Sequence, residues 1–239
     1  MPDVVNWNTP AGQLLDLLAQ KLPPRPSLRI TVFGSAPLQM LVKADFLSAD
    51  VDILGEPDIA GFVERNNLGR RESELGFQVC GPLAFRTALH WEARAVSAER
   101  HGHTFVFPHP WDILTSKISR LEEKDLEAFR MVIRGTGHPT VVEFKQHLQL
   151  AVDLYRPKFD EEAGGDMFSN TKRLWRTIFG GSIDIRREII VPALERRRRE
   201  YERGDPKLKE RLRNLAGPVS KKSRAHRSRV ASRTQKRKN

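Results

Sequence analysis

A short β-rich run, Leu28 to Phe33 (LRITVF), ends on Gly34-Ser35, and fourteen residues later the chain reads Ala49-Asp50-Val51-Asp52-Ile53-Leu54. No other feature constrains the fold as much. The first run is apolar and β-branched, and the second alternates polar and apolar with the period of a strand. In a strand, side chains at i and i+2 share a face. Asp50 and Asp52 are therefore expected side by side, about 6.6 Å apart along the backbone, with Val51 and Ile53 turned to the core. Two parallel carboxylates suit divalent cations, and paired metals suit in-line phosphoryl displacement. Gly34 lets the backbone approach a phosphate, and Ser35, opening the next helix, offers a hydroxyl and an N–H to phosphate oxygens. Taken singly the parts are ordinary: Gly-Ser is a frequent turn, and Asp-Val-Asp also describes a strand with one solvated face.

The flanking pattern alternates element types. Thr9 as N-cap and Pro10 as first helical residue open an amphipathic helix whose apolar face carries Leu14, Leu15, Leu17, Leu18 and Leu22. A helix over 37–46, a helix over 58–66, a strand over 77–80 and a pair of strands between Phe85 and Phe107 follow. The pair turns at Glu99 to His103, where His101 and His103 read as a solvated turn rather than a metal site. An α+β fold with a mixed central sheet is expected over residues 1–135. Beyond Pro108-His109-Pro110 the chain reads as helix: Trp111 to Ile133, Val141 to Tyr155, Lys172 to Phe179 and Ile183 to Arg203, with a polar connector at Asp160 to Asp166. This defines a helical region over 136–203 and a tail over 204–239. Cys80, the sole cysteine, reads as a small buried strand residue, and such usage fits a reducing, cytoplasmic setting.

The stretch FGSAPLQMLVKADFLSADVDIL resembles the opening motif of the polymerase-β-like nucleotidyltransferase superfamily, a Gly-Ser followed by Asp-x-Asp. PWDILTSKISRLEEKDLEAF resembles the abortive-infection and toxin–antitoxin subgroup, in which a proline-led helix carries a lysine and a Lys/Arg-Asp pair follows. The likeness covers about residues 25 to 135. It implies a nucleotidyltransferase fold and transfer of a nucleotidyl group from a nucleoside triphosphate to an acceptor hydroxyl, with RNA or tRNA as acceptor in a toxin–antitoxin or defence setting and a protein antitoxin as partner. By the same likeness Gly34 and Ser35 would hold the triphosphate, Asp50 and Asp52 magnesium, and Lys117 a phosphate. Asp125 would orient that lysine or act as a base, and Glu92 would be the third strand carboxylate on the metal, alternating onto the face of His90 and Arg94.

The residues themselves leave alternatives. On a continuous helix Asp125 lies about 80° round from Lys117; a solvated lysine, and an acid paired with Lys124, would look the same. Where the subgroup has a basic residue before the first Asp, this chain has Asp45 to Ala49. Where it has an arginine between lysine and acid, Glu122-Glu123 stands. A catalytically silent module of the same fold, binding nucleic acid or a protein, is the alternative.

The net charge of +11 sits at one end. Residues 196–239 hold 18 Lys/Arg against 4 Asp/Glu, so the preceding body is slightly acidic. From Val219 onward nine basic residues stand with no acid and little to bury, which predicts disorder. Arg196 to Asn239 suits a phosphate backbone, RNA before DNA, through counterion release. No apolar run reaches eighteen residues, so no membrane association is expected.

Overall fold

The computed structural model describes residues 5–54, 57–69, 75–81, 83–156 and 166–204. Among these it is α+β, with a five-stranded mixed sheet and eight α-helices. Helix α1 (Pro10–Lys21) starts as its sequence demands, with Thr9 Oγ1 accepting from Gly12 N–H at 3.1 Å. Strand β1 (Arg29–Phe33) leads through Gly34-Ser35 into α2 (Ala36–Leu41), a six-residue helix shorter than the expected one. Strand β2 (Val51–Leu54), α3 (Pro57–Arg65) and β3 (Phe77–Cys80) follow, and β4 (Val96–Arg100) and β5 (His103–Phe107) form a hairpin.

The sheet order is β3-β2-β1-β5-β4. Strand β1 pairs antiparallel with β2 and parallel with β5, placing Phe33 opposite Asp52 and Val32 opposite Ile53. Alternation divides the two faces. Ile30, Val32, Val51, Ile53 and Phe105 pack against Leu15 and Leu18 of α1, Met40 of α2 and Val63 of α3. Each such side chain is worth about 1.5–3 kcal/mol on full burial, which holds β1 and β2 in register. The other face carries Phe33 and Asp52, and the Phe33 ring meets Phe85 with centroids 5.5 Å apart.

Helices α4 (Pro110–Lys117), α5 (Glu123–Thr136), α6 (Val141–Leu150) and α7 (Met167–Phe179) build a second core around Phe129, Phe144, Leu148 and Leu174. The expected single helix over 111–133 is two helices, broken at Leu121, whose φ is 31°. Helix α7 starts earlier than its apolar pattern predicted, because Asp166 accepts from the N–H groups of Phe168 and Ser169. A π-helical turn over Arg186–Ile190 enters α8 (Val191–Gly204).

One compact unit covers Met1–Ala193 and a second covers Leu194–Asn239. Apart from Gly204 the expected tail lies outside the described residues, as does the connector before Asp166. Among the described residues no helix is long and apolar enough to cross a membrane.

Candidate active site

Gly34 ends β1 with φ at +72°, a conformation that side-chain-bearing residues rarely adopt. A Cβ at this position would fall 1.9 Å from Asp52 Oδ2 and 2.9 Å from its Cγ. The Asp52 carboxylate therefore lies directly against the glycine turn, as the register of Phe33 with Asp52 requires. Asp50 is placed differently from expectation. Strand β2 begins at Val51, and Asp50 sits in the bend before it, its carbonyl accepting from Ser48 Oγ at 2.7 Å. The i, i+2 argument thus applies to Asp52 and Leu54 but does not by itself align Asp50. Both carboxylates still act on one neighbour: after burial, Asp52 and then Asp50 raise the pKa of the Cys80 thiol. Cys80 itself is half-buried on the solvent side of β3, not the core residue its strand suggested.

Ser35 caps α2 without bonding the helix, which leaves its hydroxyl to another donor. That donor is Lys117 Nζ, 3.1 Å from Ser35 Oγ although 82 residues separate them in sequence. Lys117 is buried, not the solvated lysine of the simpler reading. Burial pulls its pKa down, while Asp125, through charge and a hydrogen bond, and Asp52 pull it back up. Asp125 is 1% exposed. It lies 3.4 Å from Lys117 Nζ, accepts from Arg120 Nε at 3.2 Å, and accepts from the Glu122 backbone N–H at 3.1 Å. It thus caps α5 and counters two cations at once. Lys117, Arg120 and the Glu122 N–H all converge on the Asp125 carboxylate.

Arg120 fills the place where the sequence reading saw only Glu122-Glu123. It stands three residues after Lys117, between the lysine and the later acid, and its guanidinium completes the cluster. The spacing Lys117-x-x-Arg120 was visible, but only the break before α5 turns that arginine onto Asp125.

A cavity of about 600 Å³ opens beside Ser35 and Lys117. Its charged lining is mixed, with Lys43 paired to Asp45 and Arg134 to Glu127 beside Lys124 and Asp125, and Phe46 and Met131 give it apolar wall.

Glu92 does not lie on a strand. His90 takes φ 57°, and Trp91–Arg94 form a 3₁₀ turn on which Glu92 is exposed. His103 is also not in a solvated turn; it is fully buried, with Nδ1 accepting from Leu28 N–H at 3.2 Å.

Magnesium takes oxygen ligands, needs only one or two carboxylates, and fills its remaining positions with water and phosphate. Asp52 against Gly34, with Asp50 acting on the same thiol, matches that donor chemistry. Among the described residues no three His, Cys, Asp or Glu side chains converge into a group that could hold a metal ion. No protein-family model, curated protein or solved structure matches the chain.

Proposed function

We infer that the chain is a magnesium-dependent nucleotidyltransferase with a nucleotidyltransferase fold, acting on a nucleoside triphosphate and an acceptor hydroxyl, with RNA as the acceptor class. One observation carries this reading. Lys117 reaches Ser35 across 82 residues, and the Asp52 carboxylate packs on the glycine between strand and serine. A hydroxyl, a buried ammonium and a carboxylate gathered at one turn suit a triphosphate and a cation.

The acceptor hydroxyl gives its proton to solvent water, its oxygen attacks the α-phosphorus, a new P–O bond forms, the α–β bridging bond breaks, and pyrophosphate leaves. Magnesium held by Asp50 and Asp52 would neutralise phosphate oxygens and acidify the acceptor hydroxyl. Ser35 and Lys117 donate to the phosphates, where charge grows as pyrophosphate departs. Asp125 keeps Lys117 charged and aimed, and itself touches no substrate. The test is incubation with each labelled triphosphate, magnesium and total RNA. Wild type transfers label. Asp52→Asn and Lys117→Met lose about a hundredfold or more while keeping the far-ultraviolet circular dichroism of the wild type. Full transfer by Asp52→Asn would remove the mechanism.

A second reading is favoured by Asp50 lying outside the strand and by the exposed Glu92 turn, which leave the metal site without a third strand carboxylate. In it the fold is catalytically silent and binds nucleic acid through residues 196–239. Magnesium-dependent triphosphate binding that is lost in Asp52→Asn supports the enzyme. RNA binding that survives this change, disappears on truncation at Gly204 and weakens steeply with salt supports the module. A toxin–antitoxin or defence role, with a protein antitoxin as partner, rests on the sequence resemblance.

A further inference from the structure

A second cavity, of about 890 Å³, shares only Val42 and Gly135 with the one beside Lys117. These two residues meet closely, since a Cβ on Gly135 would stand 2.8 Å from Val42 Cγ1. None of the groups assigned to nucleotidyl transfer lines this larger cavity.

Its lining carries two charged residues, Arg94 and Glu143, both committed within the protein, the Glu143 carboxylate accepting from Thr140 N–H and Oγ1. Asp112, at 0% exposure, accepts from Arg94 Nε at 2.9 Å and Nη2 at 2.7 Å, and Arg94 also donates to the Leu89 carbonyl. With the guanidinium committed, the cavity has little to offer an anion. What remains is neutral and directional. His109 caps α4 by accepting from Trp111 N–H at Nδ1, 3.1 Å away, so its neutral ring carries the proton on Nε2 as a fixed donor. His147 Nε2 is buried with no hydrogen-bond partner, 3.6 Å from Asp112 Oδ1. The end of α5, Gly135 to Gly137, lines one side, and terminal helix carbonyls lack intrahelical donors. The half-buried Trp111 ring gives an aromatic wall, backed edge to face by the buried Phe144 with centroids 5.6 Å apart.

We propose that this cavity is a nucleobase site, which holds the uncharged heteroaromatic ring of a nucleoside against the Trp111–Phe144 wall. A base presents a flat apolar face with donors and acceptors at its edge, and the wall, the His109 donor and the α5 carbonyls answer each of these. Its use for the terminal base of an acceptor strand rests on the nucleotidyltransferase reading; the base site itself does not.

Uncharged labelled adenosine, guanosine, cytidine and uridine, which lack the phosphates that Lys117 would attract, are titrated into the full chain by equilibrium dialysis. At least one is expected to bind wild type and Asp52→Asn alike. Thr136→Trp, which fills the cavity from an exposed position, weakens that binding about tenfold or more, and His109→Ala weakens it too. Absence of nucleoside binding, binding undiminished in Thr136→Trp, or binding lost in Asp52→Asn overturns the proposal. Label transfer by the wild type is scored separately. Transfer without nucleoside binding sinks the base site alone, and nucleoside binding without transfer sinks the reaction alone.

Discussion

Two opposed effects act on the proton of Lys117. Burial favours the neutral amine, and Asp125 restores the ammonium through charge and hydrogen bonding. In Asp125→Asn the side chain can still accept from the Glu122 N–H, but the counter-charge is gone. The Lys117 pKa then falls, so the lysine is protonated only at lower pH. The alkaline limb of the transfer profile should move acidward. A purely structural role for Asp125 would reduce transfer evenly across pH. At this scale Gly34, Ser35 and Asp52 stand out in the sequence through a local pattern, whereas Lys117 is singled out only by the family resemblance. Arg120 was not legible in that way: its role comes from a long-range contact that no spacing displays. Glu92 misled for a related reason. Its neighbours alternate like a strand, but Arg94 reaches out to Asp112 and draws the segment into a turn.

The helical half shows where periodicity stops being informative. Between Trp111 and Ile133 there is no glycine or proline, and the apolar spacing continues, so one helix was the natural reading. A continuous helix would separate Lys117 from Asp125 by about 12 Å of rise. Their 3.4 Å contact requires the break, and the break is held by burial of Leu121, at 2% exposed, despite its positive φ. Tertiary packing overrode local preference here. The Thr9 cap of α1 was read from the sequence, whereas the Thr140 cap of α6 and the Asp166 cap of α7 came only with the structure. Thr140 accepts from Glu143 N–H at 3.1 Å and Glu143 reaches back to Thr140 N–H at 2.8 Å, a reciprocal start for α6. Thr140→Ala should lower stability by about 1 kcal/mol in urea denaturation, with transfer unchanged. A loss of transfer at unchanged stability would tie α6 to the reaction.

For the molecule as a whole, acid sensitivity follows from three histidines. Burial lowers the pKa of His109 to about 4, and it also depresses His147 and His103. Below the ordinary value of 6.5 the unfolded chain takes up protons that the folded chain refuses. Stability is therefore intact above pH 6.5 and is lost as pH falls toward 4. The urea midpoint should decline across that window, and replacing His109 by Gln should flatten the decline; a midpoint constant from pH 7 to 4 would contradict these shifts. Segregation of charge was fully legible in the sequence, since it needs only counting. The division of the helices between two cores was not, because apolar faces name no partners.

The Asp52 carboxylate occupies the volume that a side chain at position 34 would need. The two positions therefore cannot vary independently. Any descendant of this chain that acquires even a methyl group at 34 must displace the acid, and one that gives up the acid removes that clash but keeps a backbone turn, at φ +72°, that still favours glycine. Paired change at these sites would mark lineages that have left the chemistry behind while keeping the fold.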